Sequence, residues 1–168
     1  MTSPQIEPSR PESPTGWRRL VARLPIHLYR IGLGPLLGRR LLLLLHRGRT
    51  TGATHQVVLE VVTYDPRSPA WTVASGFGPM ADWYRNLRAT PKVTIQYGRR
   101  YHAVTAHFLS EEEGSRVMAG YAAVHPRLAG RLCAYMGFSV DGSPEEFRRA
   151  GRAIPFVRLD GGTEQQAG

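Results

Sequence analysis

Trp71-Thr72-Val73-Ala74-Ser75-Gly76-Phe77-Gly78-Pro79-Met80-Ala81-Asp82-Trp83-Tyr84-Arg85-Asn86-Leu87 says most about this chain. An apolar strand, Ala70–Ser75, breaks into a small-residue turn at Ser75–Gly78 and re-enters as a short helix after Pro79. That helix should end near Thr90-Pro91, because a residue before proline resists the helical region. Glycines after a strand let a ligand approach the backbone, since no Cβ stands in the way. Trp83 and Tyr84 then offer flat apolar walls with polar tips. Two readings stay open: one wall of a site for a planar cofactor or substrate, or a tight strand-to-helix turn whose aromatics are core.

Strand signals surround this stretch. Leu41–Leu45 is too short an apolar run to span a bilayer and reads as a buried strand. Gln56–Tyr64 alternates, with Val57, Leu59 and Val61 on one face and Val58, Glu60 and Val62 on the other. The turn Asp65–Pro69 returns the chain into Ala70–Ser75. Lys92–Tyr97 and Tyr101–Phe108 form a hairpin about Gly98-Arg99-Arg100. Ser110 with Glu113 makes a capping box for a helix through about Val124, and Ser143 with Glu146, behind Pro144, opens a helix near 144–151. Ile154–Leu159 closes the set as a strand. Strands this frequent, separated only by short helices, exclude a doubly wound parallel sheet. They predict a mainly β (α+β) fold, a small antiparallel barrel carrying peripheral helices.

With 168 residues the chain suits one domain with disordered ends. The expected division is a Pro/Ser/Glu-rich tail over 1–15, a basic amphipathic helix within 16–40, the barrel over 41–160 and a tail over 161–168. Residues 1–50 hold nine arginines against Glu7 and Glu12, so +7 of the net charge of +9 sits there. In that region Trp17, Leu20, Val21, Leu24, Leu28 and Ile31 share one helical face, with Arg19, Arg23 and Arg30 opposite. Such a helix either packs on the domain or lies on an anionic membrane surface through residues 17–31. No apolar signal-peptide core follows a basic start. A cytoplasmic protein is therefore expected, peripheral on the inner face of the plasma membrane if that helix meets lipid. The lone Cys133 fits a reducing compartment and reads as a buried spectator thiol. Metal-ligand spacings are absent, so no metal is expected. Nucleic acid is not an expected partner, because no binding module interleaves aromatics with the arginines.

His46-Arg47-Gly48-Arg49-Thr50-Thr51-Gly52 follows the first strand directly. Flexible backbone donors with guanidinium forks and hydroxyls make a cradle for phosphate. It is not a Walker A loop and opens no helix, and a Gly/Arg-rich hairpin turn is the plain alternative.

Taken together, the GRTTG turn, the strand ends LEVV and VASG, and the block Trp83, Tyr84, Asn86, Leu87, Ala89, Pro91 and Val93 resemble the deazaflavin-dependent nitroreductase family. Those are high-GC actinobacterial proteins that use coenzyme F420. The resemblance runs from Leu41 to Phe108 and resumes at Arg152–Val157. It implies a split β-barrel related to FMN-binding reductases, with the deazaflavin in a groove and its phosphate and oligoglutamate tail over basic residues. Arg49 and Thr51 match the family's tail-contacting turn, and Arg47, Thr50 and His55 stand beside them. Val73, Ala74, Ser75 and Gly76 match the strand end that lines the ring, and Trp83 and Asn86 the helix beside the pocket. The implied reaction passes a hydride from the reduced coenzyme to a small or lipophilic acceptor (quinone, enone or nitroaromatic), with Ser75 as the candidate catalytic residue. Two other outcomes stay open: a non-catalytic carrier of fatty acids or similar lipids, and a barrel that binds FMN. Dimerisation is common among split barrels, so a homodimer is expected by fold analogy alone.

The chain departs from several family members, which carry lysine at Thr50, arginine at His55 and lysine at Gly76. Three lost basic contacts weaken the grip on a polyanionic tail. The clustered tyrosines of nitro-drug-reducing members are also missing from His125–Arg131. Tyr121 and Tyr135 stand near that region, either beside the substrate or, by the plainer reading, in the core.

Overall fold

The computed structural model describes residues 39–162. The expected N-terminal tail, the basic helix with its membrane-facing residues 17–31, and residues 163–168 lie outside them. The described chain forms six strands: β1 (Leu41–Arg47), β2 (Thr54–Asp65), β3 (Ala70–Ala74), β4 (Lys92–Tyr97), β5 (Arg100–Phe108) and β6 (Phe156–Asp160). They close into a barrel in the order β1-β2-β3-β6-β5-β4, with β4 pairing back onto β1 and every pair antiparallel. Closure leaves no strand edge open, which explains how short strands of five to twelve residues make a stable sheet. This is the expected split-barrel class with peripheral helices.

Side-chain alternation decides what fills the barrel. Leu42 and Leu44 of β1 point inward with Leu59 and Val61 of β2, Trp71 and Val73 of β3, Ile95, Val104 and Ala106, and Val157 and Leu159. A register shift between Val61 and Thr63 sends the adjacent Val62 outward, into a second apolar layer under the helices. That layer gathers Met118, Tyr121, Leu132, Cys133, Phe147, Ile154 and Phe156. A short helix, α1 (Asp82–Ala89), stops one end of the barrel with Trp83, Tyr84 and Leu87.

Three helices cover the outer layer: α2 (Glu111–Val124), α3 (Pro126–Tyr135) and α4 (Pro144–Ala153). Both halves of the Ser110–Glu113 capping box are made, at 3.2 and 2.7 Å. At α4 only half forms. Ser143 Oγ accepts from the Glu146 amide, but the Glu146 carboxylate takes the Arg149 guanidinium instead, and the Ser143 amide donates to Asp141. Helix α2 crosses α4 at Gly114 and Gly151, where a Cβ on either glycine would come 2.5 Å from the other's carbonyl oxygen.

Several boundaries differ from expectation. Strand β1 runs on to Arg47, because the β1–β2 ladder continues through His46–His55 and Arg47–Thr54. The β4–β5 turn has two residues, Gly98 and Arg99, with Gly98 at φ +61°. Helix α3 is an addition; Pro126 at its first turn is the start signal. Tyr121 is core, as the plainer reading held, whereas Tyr135 at the end of α3 is 60% exposed. Cys133 is fully buried, and burial pushes its thiol up to about 11.

Candidate functional site

The barrel end stopped by α1 also carries the β1–β2 turn and the turn after β3, so the two segments singled out from the sequence meet there. The first is a hairpin turn closed by Gly48 N donating to Ala53 O and Gly52 N donating to Gly48 O, both at 2.8 Å. Gly52 supplies the positive φ (+70°) that the reversal needs. Gly48 gives close approach instead: a Cβ there would lie 2.9 Å from His55 Nε2 and 3.0 Å from Thr51 Oγ1, so either side chain would have to shift. The result is a compact loop with Arg47, Arg49, Thr50, Thr51 and His55 all exposed.

Arg49 is the most constrained of them. Its backbone amide donates to Asn86 Oδ1 at 3.1 Å, and its Nη1 donates to the same oxygen at 2.9 Å. Both guanidinium nitrogens reach Asp82 Oδ1 at 3.2 Å. Asn86 is buried, and its Nδ2 lies 3.0 Å from Nδ1 of His46, which is buried as well. The His46 ring stacks on His55 at 5.7 Å. Burial first, and the neighbouring His55 second, push its pKa down to about 4, against a smaller opposing effect of Asp82. His46 is therefore neutral at physiological pH.

The second segment is more enclosed than the sequence suggested. Val73 is fully buried and Trp83 is 7% exposed, each packed within the barrel core. Trp83 meets Tyr84 edge to face at 5.8 Å, and so serves the core rather than an open wall. Ser75 is 1% exposed; its Oγ donates to Gly78 O at 2.6 Å, and its amide donates to Pro155 O at 2.9 Å. That hydroxyl pins the turn, and its proton is already committed. Ala74 and Gly76 are half-buried, and the edge of the Tyr135 ring lies over Gly76.

His46 and Asp82 are thus the neighbours that sequence reasoning did not assign to the site, whereas Tyr135, offered as either a substrate neighbour or core, is exposed with its ring edge over Gly76. For His46 a signal existed: alternation puts it on the same face as Leu42 and Leu44, so it had to be buried. Two surface depressions of about 390 and 420 Å³ lie elsewhere, over β4–β5 and beside the end of α3. Among the described residues no group of three or more His, Cys, Asp or Glu side chains could hold a metal. No described helix is long and apolar enough to cross a membrane.

The family model for the F420H(2)-dependent quinone reductases matches residues 22–131. The chain belongs to that family. It is a coenzyme F420-dependent oxidoreductase, as the sequence resemblance implied. Among solved structures it is similar to an F420-H2 dependent reductase, FDR-A, with TM-score 0.50 and 21% identity over 73% of this chain and 95% of that one. It is also similar to Atu2129 of Agrobacterium tumefaciens, a protein of unknown function (TM-score 0.51, 13% identity, 95% of this chain and 60% of that one). A third is HutZ, the heme storage protein of Vibrio cholerae (TM-score 0.50, 13% identity, 80% and 89%). At these identities the likeness is one of fold. No curated protein matches the chain.

The donor set of the β1–β2 turn suits the family's coenzyme. An anionic tail wants charged forks and hydroxyl donors, and the turn exposes Arg47, Arg49, Thr50, Thr51 and His55 with Asp82 as the acid in contact.

Proposed function

We propose that this F420-dependent reductase holds the coenzyme's anionic tail on the β1–β2 turn and passes reducing equivalents to a small or lipophilic acceptor, a quinone above all. The observation that supports this reading is the tie between the turn and α1. Arg49 is bound to Asn86 and Asp82, which places the basic turn at the same barrel end as the Ser75–Gly78 turn.

When bound, the reduced deazaflavin supplies a hydride from its C5 position. The chain's own residues bind and orient. Arg47 and Arg49 meet phosphate and carboxylate groups, with Thr50, Thr51 and His55 adding donors. The half-buried Ala74 and Gly76 would line the ring's place at the strand end. Ser75 acts as a positioning residue: its hydroxyl donates to Gly78 O, which holds the turn in shape.

Fluorescence titration with purified coenzyme F420 tests the reading, followed by oxidation of the reduced coenzyme with a quinone, an enone and a nitroaromatic in turn. Micromolar binding with fastest turnover of the quinone is expected. Absence of binding at micromolar concentration overturns the assignment of the site. A preference for the nitroaromatic would overturn the choice of acceptor alone.

A further inference from the structure

Arg49 is held by an amide whose orientation is itself held. Asn86 Oδ1 accepts from both the main-chain amide and the guanidinium of Arg49, so its other end, Nδ2, is the atom that faces His46. An amide nitrogen only donates. His46 Nδ1, 3.0 Å away, must therefore accept, which leaves the ring neutral with its proton on Nε2. We propose that His46 is a positioning residue of the coenzyme site: as the neutral acceptor for Asn86, it fixes which way that amide faces, and through it the main chain and the side chain of Arg49. The inference rests on the reading that Arg49 meets the coenzyme's anionic tail.

Three observations carry it. Asn86 and His46 are both buried, so neither can exchange its partner for water at low cost. Residues 46, 49 and 86 lie on β1, on the turn and on α1, and among the described residues the exposed Arg49–Asp82 pair is the other bond that joins the turn to the helix. The turn contains Gly48 and Gly52, so without an anchor at its centre Arg49 would have to be ordered at the moment of binding. With His46 neutral, the arginine is set before any ligand arrives.

The groups facing His46 agree with the assignment. The His55 ring stacks on it from β2, Asn86 and Asp82 approach from α1, and Arg49 lies behind Asn86. A proton on Nδ1 would point at the amide's own donors. The amide would then have to turn, which would aim its NH2 group at the Arg49 amide and guanidinium. Three donors would face one another, and both bonds to Arg49 would fail together.

The test compares His46→Asn, which keeps an acceptor where Nδ1 stands, with His46→Leu, which keeps bulk but removes it. Hydrogen exchange of the Arg49 backbone amide is followed in the full chain without ligand, and coenzyme F420 is then titrated by fluorescence. His46→Leu should lose protection at Arg49 and weaken F420 binding, each about tenfold. In turnover the KM for the coenzyme should rise more than kcat falls. His46→Asn should restore both the protection and the affinity. Retained protection at Arg49 in a folded His46→Leu protein overturns the proposal, and so does an Asn variant that behaves like Leu.

Two measurements stand even if the Leu variant fails to fold. Nitrogen NMR of the unaltered protein should find His46 Nδ1 bare of hydrogen; a proton there overturns the proposal. Asn86→Asp should draw a proton onto the ring and raise its pKa, whereas an unmoved pKa would show that the two side chains are not coupled. If the unaltered protein fails to bind F420, the coenzyme reading falls, while the Arg49 exchange and the His46 tautomer still decide the relay.

Discussion

The edge of the Tyr135 ring rests on Gly76: a Cβ built on the glycine would lie 2.9 Å from Tyr135 Cε1. The contact joins the end of α3 to the turn after β3, at the position where the sequence resemblance sets a lysine of several family members against Gly76. Tyr135 is mostly exposed, so its ring can swing aside when a side chain is added. Gly76→Lys should therefore change stability by no more than about 0.5 kcal/mol. If the new ammonium reaches the coenzyme's tail, F420 should bind about tenfold tighter, the effect of one charged hydrogen bond near 1.5 kcal/mol. Thermal melting and fluorescence titration of the variant check the two halves separately. Unchanged affinity would place residue 76 out of reach of the tail.

Arg49 has two side-chain partners of unequal value. The ion pair with Asp82 is exposed on the carboxylate side and contributes below about 1 kcal/mol. The bond to the buried Asn86 is better shielded. Arg49→Ala keeps the main-chain bond to Asn86, so it should cost about 1–2 kcal/mol in urea denaturation while lowering F420 affinity at least about tenfold. Asp82→Asn should do the reverse. Removing a competing anion frees the guanidinium, and F420 should bind about threefold tighter with little change in stability. Weaker binding by Asp82→Asn would mean that the carboxylate orients Arg49 for the ligand rather than competing with it.

The α2–α4 crossing makes a sharper stability prediction. A methyl group on Gly151 would meet Gly114 O at 2.5 Å, Met118 Cβ at 2.7 Å and Ser115 Cα at 2.9 Å, two of them backbone atoms that cannot yield. Gly151→Ala should force the helices apart at a cost of about 1–3 kcal/mol or more. Gly120, on the exposed side of α2, has no atom within 4 Å of such a methyl. There alanine should add about 0.5–1 kcal/mol through helix propensity and a less disordered unfolded chain. Opposite shifts in melting temperature are expected from the same chemical change on neighbouring helices.

These cases also show how far the sequence could be read. Strand positions were legible because inward and outward residues alternate, as Val57, Leu59 and Val61 against Val62 illustrate. The Ser110 box was legible because both partners are local. Helix α3 was not read, although Leu128, Ala129, Leu132 and Cys133 recur at helical spacing behind Pro126. The site was legible in kind but not in wiring. A basic turn and a strand-to-helix turn are local features, whereas Arg49 meets Asn86 across 37 residues and His46 meets it across 40. Trp83 illustrates the limit from the other side. An aromatic near glycines looks the same in sequence whether it faces a ligand or, as here, stops a barrel.

His46 gives the chain a pH dependence whose direction follows from its environment. Its pKa is about 4 in the folded protein against 6.5 for an ordinary histidine, because burial and the His55 ring outweigh the attraction of Asp82. Below pH 6.5 the unfolded chain takes up a proton that the folded chain refuses. The stabilisation is therefore complete above about pH 6.5 and is lost as the pH falls toward 4, by on the order of 3 kcal/mol in all. Glu113 and Asp141 are held below the ordinary carboxylate range by hydrogen bonds at their turns, so their contributions fade only at lower pH. Between pH 6.5 and 5 the comparison with His46→Asn separates His46 from the other histidines, among them His107, which lies 3.0 Å from Asp160. Urea denaturation across that window should show a stability loss of about 2 kcal/mol in the unaltered protein and a flatter profile in His46→Asn, which has no proton to gain. Parallel profiles for the two proteins would mean that His46 takes up its proton as readily in the fold as in the unfolded chain, and would remove the neutral acceptor on which the hold over Arg49 depends.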